Sequence, residues 1–174
     1  MTVQEDIERR LDTAIPPVQF RHIVVALDGS KQAESILPYV QSLAGVFNST
    51  ITCVCALAPV TLVASGETGF GDMAGAAYAA ESLLETEEAL RKENKNYMDE
   101  IQRELETGGF EVTCREPEDR PADAILSIVD QEDADLIAMT THGRSGLSRF
   151  LIGSVADDVL RHAECPVLIV HPAN

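Results

Sequence analysis

Positive charge is what this chain has least of. Thirteen lysines and arginines stand against 29 aspartates and glutamates, a formal net charge of −16. A general nucleic-acid or anionic-membrane surface needs a positive face, so both partner classes are excluded as broad functions. Long apolar runs are missing too, and none reaches the roughly 18 residues of a membrane helix. Residues 1–20 hold Glu5, Asp6, Glu8, Arg9 and Arg10 and no apolar stretch of the kind a secretory leader needs. The expectation is a soluble, cytoplasmic protein. Cysteine is sparse, and a reducing cytosol would keep Cys53, Cys55, Cys114 and Cys165 as thiols. Cys53 and Cys55 sit one residue apart without evident further ligands, so they read as small buried hydrophobes rather than a zinc pair. The phosphate-cradling pattern G-x-x-x-x-G-K-[ST] is also absent.

What is present describes one domain. At 174 residues and 45% apolar, the chain is long enough to bury a real core. "HIVVALD" (22–28), "TITCVCAL" (50–57), "FEVTCRE" (110–116), "ADLIAMTT" (134–141) and "PVLIVH" (166–171) read as strands. Four of the five are continuously apolar, as strands buried on both faces are; 110–116 alternates, as at an edge. Helical spacing runs through 31–45, with Ser30 as N-cap and Pro38 forcing a kink or an irregular first turn. A long charged helix follows from Ala80 to Leu105, stopped by Gly108-Gly109. Its acids Glu81, Glu85, Glu87 and Glu88 read as a solvated face. Pro121 opens a helix to about Asp130, and another runs from Ser154 to about His162. Residues 58–80, rich in Gly and Ala, read as a long flexible connection. Alternation of this kind means an α/β fold, a doubly wound, five-stranded, mostly parallel sheet with helices on both faces. Residues 21–174 form the domain. Residues 1–20 form an extension, in which Val3, Ile7 and Leu11 suggest a short docking helix ended by Pro16-Pro17.

The stretch "TTHGRSGLSRFLIGS" (140–154) carries the chemistry. Gly143, Gly146 and Gly153 let a backbone approach a ligand with no Cβ in the way. Gly153-Ser154 opens a helix, whose free N–H groups and positive dipole end favour an anion. Arg144 and Arg149 stand there with no acid, a locally positive spot on an acidic protein. Each feature alone has a plainer reading: a turn, solvated arginines, or a capping-box-like pair of Ser154 and Asp157. In an open sheet, though, ligands bind beyond the carboxyl ends of the strands where the winding reverses. Asp28 and this loop end two strands on that rim, and a phosphate-bearing ligand is the expectation.

"HIVVALDGSKQAESIL" and "DLIAMTTHGRSGLSRFLIGSVADDVLRHAECPVLIV", at their spacing, resemble the universal stress protein family over roughly residues 20–172. The resemblance implies a Rossmann-like, adenine nucleotide alpha hydrolase-like fold. Its ATP-binding members carry Gly-x-x-Gly, nine residues, then Gly-Ser or Gly-Thr. Here Gly143, Gly153 and Ser154 match that pattern, and Thr140 replaces the first glycine. Gly146 belongs to the "GRSG" form common in bacterial members. The resemblance places Ala26, Leu27 and Asp28 by adenine and ribose, and Ala56 where a valine often packs on the base. Asp119-Arg120-Pro121 stands where many members have glycine beside proline; the acid would repel phosphate and Arg120 attract it.

These readings lead to an adenine nucleotide, ATP before ADP or AMP, with magnesium accompanying a triphosphate. Binding would act as a stress-response switch by ordering residues 58–80. A slow ATPase is a rival, with His142 the one nearby base, and so is a nucleotide-free dimeric partner-binding protein, favoured by Thr140. The resemblance also implies a homodimer through 166–171, with a further protein partner that the sequence does not identify.

Overall fold

The computed structural model describes residues 18–57, 73–141 and 153–172. Five strands, β1 (His22–Ala26), β2 (Thr50–Val54), β3 (Val112–Arg115), β4 (Leu136–Thr140) and β5 (Val167–Val170), form one sheet in the order β3-β2-β1-β4-β5. Every pairing is parallel. The chain winds outward from β1 to β3, then returns to the other side of β1 for β4 and β5. The winding therefore reverses between β1 and β4, and β3 and β5 are the edges.

Alternation along the strands feeds two cores. Ile23, Val25, Ile51 and Cys53 face α1 (Leu37–Phe47) and α2 (Met73–Thr107), whose Val40, Ala44, Met98, Ile101 and Leu105 fill that layer. Val24, Val54, Ile137 and Met139 face α3 (Pro121–Gln131) and α4 (Ser154–His162), whose Ile125, Ile128, Val129, Ala156 and Val159 fill the other. Each buried branched side chain contributes on the order of 1.5–3 kcal/mol, so the sheet holds its helices on both faces.

Polar groups close the amino end of the sheet. The Asp135 carboxylate accepts from the backbone N–H groups of Arg21 (2.8 Å) and His22 (2.9 Å). Buried Thr52 donates to Glu132 Oε2 at 2.7 Å and lies 2.9 Å from His22 Nε2, while Arg115 Nε donates to Glu132 Oε1 at 3.0 Å. A buried hydroxyl costs little when partnered in this way.

One local expectation is met and two change. Of the two outcomes expected at Pro38, the irregular first turn is the one found: a 3₁₀ turn at Ala33–Ile36 opens the segment, and Pro38 falls in the first turn of α1, where its missing N–H is harmless. The 58–80 connection is shorter than expected, because α2 begins at Met73; the alanine-rich stretch has high helix propensity without an apolar period. Residues 58–72 lie outside the described residues, as do 1–17 with the proposed docking helix. Ser154 and Asp157 form no capping box: Gly153 is the N-cap, without a side-chain bond, and the Asp157 carboxylate pairs with Arg161 at 2.9 and 3.1 Å.

Candidate functional site

A cavity of about 660 Å³ opens at the carboxyl ends of β1, β2 and β4, where the winding reverses. That is within the usual range for a small-molecule site. From β1 it receives Ala26, Leu27 and Asp28; from β2, Val54 and Ala56; from β4, Met139, Thr140 and Thr141. Ala33 of the 3₁₀ turn, the start of α3 (Pro121, Ile125) and the first turn of α4 (Ser154, Val155, Ala156), with Gly153, complete the wall.

Asp28 ends β1 in a tight turn. Its Oδ1 accepts from the Ser30 N–H at 3.0 Å, and Gly29 takes φ +79°, a backbone conformation that suits glycine. Ser30 Oγ in turn accepts from the Ala33 N–H at 3.0 Å, although the N-cap of the 3₁₀ turn is Gln32 rather than Ser30. The exposed Asp28 carboxylate is thereby fixed at the mouth of the cavity. Its charge reaches Cys55, whose thiol is pushed up to about 11, by burial first and then by Asp28 and Glu116.

Thr141, only 1% exposed, fixes the start of α4. Its Oγ1 accepts from the Gly153 N–H at 3.3 Å, and its own N–H donates to Val170 O at 3.1 Å. The first intrahelical bond of α4 runs from Asp157 N–H to Gly153 O at 2.9 Å. The N–H groups of Ser154, Val155 and Ala156 precede it, so the helix offers them no acceptor of its own, and all three residues line the cavity. Donors without a helical acceptor, at a positive dipole end, suit an anion. A Cβ built on Gly153 would meet no protein atom within 4 Å, and its φ of −61° is open to any residue. Among the described residues nothing calls for glycine there.

Of the residues singled out from sequence, Ala26, Leu27, Asp28, Ala56, Thr140, Gly153 and Ser154 come together around this cavity. His142, Gly143, Arg144, Gly146 and Arg149 lie outside the described residues. Thr140 is the last residue of β4, in register with Val170 and 7% exposed, so most of its branch is covered by protein. Arg120 turns from the cavity toward Asp123 (3.7 Å) and Asp158 (3.9 Å), and Asp119 accepts from the Arg120 N–H at 2.7 Å. Neither lines the wall. Sequence reading missed the apolar wall residues Ala33, Val54, Ile125 and Met139 and, beside the start of α4, Thr141, Val155 and Ala156. Thr141 carried a faint signal, a polar residue continuing a buried strand; Val155 and Ala156 contribute backbone N–H groups, which leave no mark on residue type.

A sequence profile of the universal stress protein family matches residues 19–171. The chain belongs to this family. Two universal stress proteins of Methanocaldococcus jannaschii are each 37% identical over 83 and 90 residues, 48% and 52% of this chain. Those matches span 49% and 56% of the relatives, about half their length. A Thermus aquaticus universal stress protein is 30% identical over 154 residues, covering 87% of this chain and 98% of its own. The solved structure of MJ0577, a hypothetical protein whose biochemical function was assigned from structure, superposes with a TM-score of 0.72 at 27% identity. That match covers 90% of this chain and 99% of MJ0577. Universal stress proteins solved with cAMP and, from Archaeoglobus fulgidus, with dAMP share the fold at TM-scores of 0.56 and 0.55. The first covers 89% of this chain and 99% of its own, the second 87% and 98%, at 23% and 22% identity.

Proposed function

We propose that this universal stress protein binds an adenine nucleotide, ATP foremost, in the cavity between the ends of β1 and β4, and uses its occupancy as a stress-response switch. The observation that carries the proposal is the start of α4: three N–H groups without helical acceptors and an unobstructed glycine, in residues that all line one cavity. Phosphate oxygens would accept from these groups and from the Ser154 hydroxyl. Asp28 would accept from a ribose hydroxyl, and Ala26, Val54, Ala56 and Met139 would form an apolar wall for the base. Gly143, Arg144, Gly146, Arg149 and His142 would add backbone and charge around the phosphates. The nucleotides held by two relatives of the same fold support the ligand class. Among the described residues no group of three or more His, Cys, Asp or Glu side chains could hold a metal alone, so magnesium would enter with the triphosphate.

Homodimerisation through 166–171 is part of the same reading. All four residues of β5 are half-buried on an edge of the sheet, and an apolar edge of that kind is normally paired or covered.

The test is to denature freshly purified protein and separate what is released by chromatography and mass. Adenine nucleotide near one per chain is the expected result. A protein that releases none and fails to bind added ATP with magnesium would overturn the proposal, leaving a dimeric partner-binding protein as the reading.

A further inference from the structure

Away from the cavity, β2 and β3 bring two thiols side by side. Cys53 and Cys114 are register partners in the parallel pair, and both belong to the core face beneath α1 and α2. Neighbouring strands run about 4.8 Å apart, within the roughly 4.4–6.8 Å between Cα atoms that a disulfide spans. Accessibility differs between the two. Cys53 is 0% exposed, whereas Cys114 is half-buried on the edge strand, where a small oxidant reaches it first. The Cys114 thiol also lies 3.5 Å from Met98 O, which orients it.

Surroundings separate the chemistry of the two thiols. A hydrogen bond from Cys53 holds the Cys114 thiol below its ordinary range, while that bond and burial push Cys53 well above it. More exposed on the edge strand and held lower, the outer thiol is the better source of thiolate, the reactive form. The other two cysteines lack this arrangement. Cys55 shares the β2 face with Cys53 but follows the last residue of the β2–β3 register, and Cys165 packs with the opposite core.

We propose that Cys53 and Cys114 are a peroxide-sensitive thiol pair that closes to a reversible disulfide across β2 and β3. The Cys114 thiolate attacks one oxygen of hydrogen peroxide. The O–O bond breaks, Cys114 becomes a sulfenic acid, and the departing hydroxide takes a proton to give water. Cys53 then attacks the Cys114 sulfur. The S–O bond breaks, a second water leaves with the Cys53 proton, and the S–S bond forms. Two thiols lose two electrons in all, and one peroxide becomes two waters. A dithiol reductant reverses the step by exchange. The bond pins an edge strand to its neighbour and closes a loop of chain that includes all of α2, so the oxidised form resists unfolding.

The experiment exposes the full chain to hydrogen peroxide, blocks remaining thiols under acid denaturation, and maps an unreduced digest by mass spectrometry. The expected product is a Cys53–Cys114 cross-linked peptide lighter by two hydrogens, with titratable thiols falling from four to two. Dithiothreitol restores all four, and the thermal midpoint rises on oxidation and returns on reduction. Cys55→Ser retains the cross-link, and Cys114→Ser abolishes it. Should Cys114→Ser fail to fold, the maps of the unaltered chain and of Cys55→Ser decide. A bond to Cys55 or Cys165, four surviving thiols, or sulfinic acid at Cys114 without a bridge would each overturn the proposal.

Discussion

At Gly153 one side chain would separate binding from folding. Serine is a favoured N-cap, so Gly153→Ser leaves stability within about 1 kcal/mol in urea titration. Its hydroxyl would accept from the N–H groups a phosphate needs, and its Cβ would occupy the open space above the glycine. ATP affinity should then fall about tenfold, near 1.4 kcal/mol, by calorimetric titration. Unchanged affinity would remove Gly153 from the phosphate contact. Much of this site is legible from residue types: Asp28 after an apolar strand, glycines before a helix. Thr140 is legible as a departure, but not the covering of its branch, which depends on register with Val170 across the sheet. Backbone donors at Val155 and Ala156 are invisible to any reading of side chains.

At the scale of the helix, α4 allows a backbone donor to be removed alone. Ser154 is its first residue, and Gly153 before it has ψ 153°, the extended conformation that a residue preceding proline prefers. Ser154→Pro therefore fits the helix start while deleting both a hydroxyl and an N–H. Ser154→Ala deletes the hydroxyl only. Both variants should melt within a few degrees of the unaltered chain, and proline should weaken ATP binding several-fold more than alanine. Equal losses would mean that the hydroxyl, not the helix terminus, makes the contact. Helix boundaries were readable where proline or a capping glycine marks them, as at Pro121 and Ser154. The start of α2 was not, because "MAGAAYAA" signals helix through alanine's propensity and carries no polar–apolar period.

For the whole molecule, charge and edge strand act together. Two copies of a chain with net charge −16 repel when they approach, and salt screens that repulsion. The homodimer should tighten between about 0.02 and 0.15 M salt when followed by sedimentation. Ile169→Lys, on the β5 edge, should shift it to monomer with the circular dichroism of the fold retained. A chain that sediments as monomer throughout would end the dimer reading. The order of elements made the sheet legible from sequence, since strands buried on both faces lose their alternation; which strands are neighbours came from pairing, which no local pattern encodes.

The cavity wall is gathered from residue 26 to residue 156, out of three strands, a 3₁₀ turn and two helix starts. Partial folding cannot assemble it. A guest there would hold the entire chain closed rather than one region, adding about 2.7 kcal/mol when present at a hundred times its dissociation constant. Protease survival and the slow exchange of central amides would then follow the concentration of free nucleotide. The molecule's lifetime would become a gauge of cellular energy, with no hinge or lid required.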